Sequence, residues 1–235
     1  LSHYFVTLSV YGAGIGYLIS MYPYFRHSRL SMIFPSINDV MTDNRFQILE
    51  DMLLADRSVR RFDESHGIEK STVERIVGLV RLCASGRNIQ PLRYRIVTAP
   101  HERESVFPAL AWAGYYKDWD GPGCGERPSA YIVQCIDTEI ANDCLCDDGL
   151  HLQALTLGAV ALGISCCIIK ALDSAAVAKA LGLSGRYRPR YVLAMGYASE
   201  RVRIVEMTDD GDCRYYRDAD DNHCVPKRPV ESLII

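Results

Sequence analysis

Three short segments carry polar or cationic side chains that local structure alone does not call for. The first is Arg57-Ser58-Val59-Arg60-Arg61-Phe62. Each guanidinium is a planar fork of donors and the serine adds a short one, so the set suits a phosphate; the same run also reads as a solvated charge cluster. The second spans residues 84–92 (ASGRNIQPL). Asn88 and Gln90 offer donors and acceptors together, which the edge of a heteroaromatic ring needs. Pro91 biases Gln90 towards extended backbone, and ordinary turn chemistry explains such a stretch as well. The third, Pro226-Lys227-Arg228-Pro229, returns positive charge late in an acidic tail and taken alone is a surface patch. Together, two basic clusters and an amide-bearing turn suit one phosphorylated, ring-bearing cofactor. No acid–base residue is compelled, so no catalytic side chain is assigned.

These segments depend on the elements around them. Apolar spacing predicts a helix over 45–55, with Phe46, Leu49, Met52 and Leu53 on one face, then a loop or turn over 56–63. Ser71-Thr72-Val73-Glu74 reads as a capping box opening a helix that runs to about Ala84 and stops at Ser85-Gly86. Strands are predicted over 94–98, 130–136, 164–169, 191–195 and 201–207, and helices over 102–113 and 143–162. From Leu152 onward the latter helix is apolar or small nearly all round, which implies cover by a second subunit. Ser174 is expected to cap a helix over 175–181, ended by Gly182. Residues 113–125 (AGYYKDWDGPGCG) read as a surface loop or as a lid with Tyr115, Tyr116 and Trp119 for stacking. The acidic stretch 209–221 reads as a loop or edge. Strands interleaved with helices give a mixed α/β class, and the hydrophobic pattern leaves strand order open.

The chain has 235 residues, 49% of them apolar, which is enough for a full core. With a net charge of −3 and a pI near 6.1 it has no basic field for a nucleic-acid backbone, so no nucleic-acid partner is expected. Nine cysteines at irregular spacings, such as Cys144 with Cys146 and Cys166 with Cys167, do not match paired zinc-ligand spacing. Reduced, buried thiols in a cytoplasmic protein and no metal site are the expectation. Two parts are read: an extension over 1–41 and a domain over 42–235. Residues 4–24 carry no charge and are about 20 residues long, enough for a membrane span, but they hold Ser, Thr, Gly, Pro and several Tyr. They read as an upstream extension of the true frame, a membrane anchor or a soluble arm. Gly12-Ala13-Gly14-Ile15-Gly16 misplaces the third glycine of a dinucleotide fingerprint and is set aside.

Six segments in order resemble the FMN-dependent nitroreductase family: RSVRRFD (57–63), ASGRNIQPLRYRIV (84–97), GERPSAYIV (125–133), DGLHLQALTLGAVALGISCCII (148–169), YVLAMGYASE (191–200) and PKRP (226–229). The resemblance implies an α+β fold with a mainly antiparallel sheet flanked by helices. It implies an intertwined homodimer with two FMN molecules at the interface. Arg57, Ser58 and Arg60 match the family's N-terminal phosphate and ribityl contacts, and Lys227 and Arg228 its C-terminal phosphate clamp. Asn88 matches the asparagine near the flavin pyrimidine edge, with Ser85 and Gln90 in the same motif. Ile168, Ile169, Lys170 and Ala171 match the segment whose backbone N–H groups face flavin N5 and O4. Lys170-Ala171 replaces a common Glu-Gly, which puts a positive charge near the ring, and Asp56 replaces a frequent arginine, which weakens phosphate affinity. The implied activity passes hydride from NADH or NADPH through the flavin to a small conjugated acceptor, such as a nitroaromatic or a quinone. Alternatives are a flavin-dependent dehalogenase, a flavin-modifying relative, or a flavin-binding module without turnover.

Overall fold

The computed structural model describes residues 43–235. The expectations for residues 4–24 and for the glycine run at 12–16 lie outside the described residues.

Strand β2 (Ala130–Asp137, AYIVQCID) is buried at every position, so both its faces are covered. It pairs antiparallel with β1 (Leu92–Val97) on one side and β4 (Tyr187–Gly196) on the other, and β4 pairs antiparallel with β3 (Ser165–Ile169). The sheet order is β1-β2-β4-β3. Alternate residues of each strand face opposite sides. Tyr131, Val133, Val192 and Ala194 join one buried cluster, which contains Val106 of α3 (Pro100–Val106) and Val177 of α5 (Ser174–Ala180). Ile132, Leu193 and Met195 join another, which contains Ile76 of α2 (Lys70–Gly78) and Leu155 and Ala159 of α4 (Asp147–Val160). The fold is therefore α+β, an antiparallel sheet between helical layers. A smaller sheet follows, in the order β5-β7-β6: β7 (His223–Lys227) runs parallel to β5 (Val202–Glu206) and antiparallel to β6 (Tyr216–Arg217). Helix α1 (Asp43–Ala55) leaves Phe46, Leu49, Leu53 and Leu54 exposed. Among the described residues no helix is long and apolar enough to cross a membrane.

Several local expectations shift. The capping box does not form: α2 begins at Lys70, where the Glu69 carbonyl accepts the N–H groups of Thr72 and Val73, so Ser71 and Glu74 already lie inside the helix. That helix gives way to a 3₁₀ turn over Leu79–Leu82 well short of Ala84. Asp173, not Ser174, caps α5, its carboxylate accepting from the Ala176 N–H at 2.9 Å, while the Ser174 hydroxyl donates to the Pro189 carbonyl. Helix α3 starts earlier, on Pro100, and ends at Val106, because Pro108 in the next turn has no N–H to continue it. The longest helix opens at Asp147 and not at Asp143; Leu157 and Val160 are half-buried in the single chain. Strand β4 extends back through Pro189, which is tolerated where the register against β2 shifts between Gln134 and Cys135. The PKRP patch begins inside β7, a strand the reading did not anticipate.

Candidate functional site

The basic segment between α1 and α2 is held by its apolar and backbone groups, which leaves its polar side chains available. Val59 and Phe62 are buried. The Val59 N–H donates to the Cys166 carbonyl of β3 at 2.9 Å, and the Phe62 N–H donates to the Glu126 carbonyl at 2.9 Å. Glu200, with its side chain 2% exposed, accepts the backbone N–H groups of Arg60 at 2.5 Å and Arg61 at 3.1 Å and pairs with Arg217. Thus fixed, the segment turns Arg57, Ser58 and Arg60 into a cavity of about 400 Å³. Gln153 and Thr156 of α4, Ile168 of β3, Tyr215, and His223 and Lys227 of β7 are among the other residues that line it. The volume falls within the roughly 300–1,000 Å³ of small-molecule and cofactor sites.

The charges here are unevenly satisfied. Asp56 also lines the cavity, but its carboxylate accepts the Gln153 amide at 2.7 Å and the Thr156 hydroxyl at 2.6 Å, so its charge is partly covered from the α4 side. Arg57 donates from Nη2 to the Leu53 carbonyl at 2.7 Å, yet its Nε is buried without a partner. An orphaned, charged donor costs free energy until an acceptor arrives. Together with Ser58, Arg60 and Lys227 it fits an anionic group such as a phosphate.

His223 is 1% exposed. Its Nε2 lies 2.9 Å from Arg60 Nη1 and its Nδ1 lies 2.6 Å from the Tyr116 hydroxyl. A guanidinium only donates, so Nε2 accepts, the ring is neutral, and Nδ1–H donates to the Tyr116 oxygen. Burial, with Arg60 and Arg217 adding to it and Glu200 opposing, pushes the imidazole from its ordinary 6.5 down to about 4. The unfolded chain therefore takes up a proton at a pH where the native chain refuses it. This contribution is intact above about pH 6.5 and declines as pH falls towards 4, by about 3 kcal/mol in full. Thermal unfolding followed from pH 7.5 to 4.5 is expected to show a steeper acid loss for the natural chain than for His223→Gln; equal slopes would refute the buried neutral imidazole.

A second cleft of about 190 Å³ adjoins the first. Arg60, Ile168 and Tyr215 line both, and Trp112, Ile169, Lys170 and Ala171 line the smaller one. The Lys170 ammonium sits 5.8 Å from the Tyr191 ring centroid, and the residue also borders a surface groove with Arg188 and Arg190.

The structure thus brings Arg57, Ser58, Arg60, Ile168 and Lys227 to one cavity, and Ile169, Lys170 and Ala171 to its neighbour. It does not bring in Ser85, Asn88, Gln90 or Arg228. The Ser85 hydroxyl donates to Asp147 at 2.6 Å and accepts the Gln90 N–H at 2.9 Å, and the Gln90 amide donates to Asn88 Oδ1 at 2.9 Å. Asn88 and Gln90 are exposed, with φ of 56° and 53°, in the sparsely populated left-handed region. Arg228 is exposed and lines neither cleft. Sequence reasoning missed the roles of Glu200, His223 and Tyr215. One signal for His223 was present: His223, Val225 and Lys227 alternate along β7 and all three line the cavity, as the period of two requires. Tyr116, in the segment read as a surface loop or a lid, accepts a hydrogen bond from His223.

A profile of the nitroreductase family matches residues 55–120 and 145–197, together half of the chain. The chain belongs to the nitroreductase family. Solved structures agree in fold. A candidate NADH dehydrogenase/NAD(P)H nitroreductase from Parabacteroides distasonis is 24% identical with a TM-score of 0.54, over 66% of this chain and 89% of that one. A nitroreductase family protein from Streptococcus pneumoniae is 16% identical with a TM-score of 0.57, over 80% and 98%. A candidate nitroreductase in complex with FMN from Exiguobacterium sibiricum is 21% identical with a TM-score of 0.53, over 64% and 88%. Comparison with curated proteins gives no match. Glu200, His223 and Lys227 lie outside the residues matched by the family profile.

Proposed function

We propose that the chain is an FMN-dependent oxidoreductase that takes hydride from NADH or NADPH and delivers it to a small conjugated acceptor, such as a nitroaromatic or a quinone. The observation that carries this reading is the cavity lined by Arg57, Ser58, Arg60 and Lys227, in which Arg57 Nε is buried and unpaired. When bound, the flavin would supply the hydride chemistry at its ring. Arg57, Ser58 and Lys227 would hold the phosphate. Arg60, common to both clefts, would lie between the phosphate and the ring, and the backbone of Ile169, Lys170 and Ala171 would orient the ring in the smaller cleft. The FMN complex of the Exiguobacterium protein, which shares this fold, supports the choice of cofactor.

The same reading includes a homodimer. Ser85, Asn88 and Gln90 line neither of the two clefts among the described residues, so their flavin contacts would come from a second copy. The exposed apolar face of α1 and the exposed Val230, Leu233, Ile234 and Ile235 offer surface for that copy to cover. Residues 42–235 would form the flavin-binding domain, acting in the cytoplasm.

The test is the visible absorption spectrum of the purified protein before and after anaerobic NADH or NADPH. Flavin bands that bleach support the proposal. Bands that persist under both donors point to a binding module without turnover. Colourless protein that neither retains added FMN nor gains melting temperature from it ends the reading. Arg57→Leu is expected to raise the FMN dissociation constant about 10- to 100-fold, since a charge-assisted hydrogen bond contributes roughly 1.5–3 kcal/mol. Quenching of FMN fluorescence measures it.

A further inference from the structure

We propose that His223 is a positioning residue: it fixes the Arg60 guanidinium between the two clefts and ties it, through Tyr116, to the segment 113–119. The significance assigned to Arg60 rests on the flavin reading above, but the tether itself does not.

Arg60 is a long side chain with much rotamer freedom to lose, so a guanidinium meant to sit between two sites needs restraint. Its restraint is concentrated on one nitrogen. Nη1 donates to the Ser58 carbonyl at 3.1 Å and to His223 Nε2 at 2.9 Å, which uses both its hydrogens. The guanidinium carbon also lies 4.8 Å from the Tyr215 ring centroid, a cation–π contact. Among the described residues Nε and Nη2 have no hydrogen-bond partner in the protein, and neither is a buried orphan. One edge of the fork is held by the chain and the other is left for a ligand.

The second nitrogen of His223 points the opposite way. Nδ1 donates to Tyr116, whose ring meets Tyr215 edge-on at 5.3 Å and Trp119 at 6.1 Å. The same segment supplies Ala113 and Gly114 to the wall of the smaller cleft. A single imidazole therefore spans from the shared arginine to the loop that borders the second cleft. The charged and titratable groups facing it are Arg60 from the basic segment, Tyr116 from the loop, Glu200 after β4, and Tyr215 and Arg217 at β6. A protonated imidazole would confront Arg60 with a like charge and release it, so the tether needs the neutral ring.

The experiment compares the natural full-length chain with His223→Phe, His223→Gln and Tyr116→Phe. Gln can accept from Arg60 through Oε1 and donate to Tyr116 through its amide; Phe can do neither. Side-chain NMR relaxation of Arg60 Nε in flavin-free protein reads the tether directly. It is expected to show a mobile guanidinium in His223→Phe and a restrained one in His223→Gln. Amide hydrogen exchange over 113–119 is expected to rise in His223→Phe and in Tyr116→Phe, and only the former should free Arg60. With FMN present, His223→Phe is expected to weaken binding about tenfold and to lower the flavin midpoint potential, and His223→Gln to restore both. Should Arg60 Nε stay as rigid in His223→Phe as in the natural chain, the proposal is overturned whatever happens to the flavin. Should Arg60 become mobile while the natural chain binds no FMN, the positioning role stands and the cofactor reading falls. If His223→Phe fails to fold, His223→Leu takes its place with the same expectation of a mobile Arg60, and unchanged exchange over 113–119 in Tyr116→Phe refutes the tether.

Discussion

Replacing Glu200 with alanine is expected to cost about 3–5 kcal/mol of stability, the range for removing one partner of a buried ion pair. Its carboxylate is almost wholly enclosed and serves three donors at once: the Arg60 and Arg61 backbone N–H groups and the Arg217 guanidinium. Removal leaves two amides without an acceptor. Arg217 keeps the Asp221 carbonyl at 2.8 Å and its carboxylate at 3.3 Å, so the loss belongs at the lower end of that range. Glu200→Gln retains an acceptor oxygen and should lose less. Urea unfolding at constant slope measures the difference. A loss under about 1 kcal/mol for the alanine variant would mean that water replaces the carboxylate readily, contrary to its enclosure. Because a domain this size has only about 5–15 kcal/mol in total, Glu200→Ala should also yield less folded protein at 37 °C.

Phe62→Ala is the second large effect, again about 3–5 kcal/mol, typical of deleting a fully buried aromatic ring. Phe62 is wholly inaccessible. Its neighbour Gly196 leaves room for the ring, since a Cβ there would stand 2.7 Å from Phe62 Cδ1. Glycine has no side chain to relax into the hole, so the cavity persists and the cost stays high. The variant should also weaken anion binding more than its distance from the anion suggests, because Phe62 and Val59 are the anchors from which Arg57 and Arg60 project. Chemical unfolding gives the first quantity and titration with FMN the second. A variant destabilised as expected but with unchanged FMN affinity would show that backbone bonds alone hold the segment.

Much of this was legible one segment at a time. The basic run announced itself because three arginines and a serine are unusual beside a short apolar anchor, and β2 and β3 announced themselves by continuous burial-prone residues. Distance between segments was not legible. Nothing in the spacing of Asn88 and Gln90 shows that their amides bond to each other and stay clear of the cavity in their own chain. Nor does the chain advertise that His223, far along the sequence, lies against Arg60. Pro226 concealed β7: a proline argues against a central strand, yet here β6 is only two residues long, pairing with Cys224 and His223, and so Pro226 faces no partner on that side. Strand order stayed open, and the family resemblance implied only a mainly antiparallel sheet, because hydrophobic periodicity records which face a residue takes and not which strand lies alongside.

The parallel pairing of β7 with β5 has a bearing on how the protein is made. His223, Val225 and Lys227 are the last residues to reach the larger cavity, and all the others that border it precede them in the chain. Translation runs from the amino end at roughly 5–20 residues per second. A growing polypeptide that has already assembled its four-stranded sheet still lacks the Lys227 side chain of the cavity wall and the imidazole beside Arg60. Until β7 leaves the ribosome the cleft lacks these three side chains, so under the proposed flavin reading FMN binding would follow completion of β7 and would not guide the earlier steps of folding.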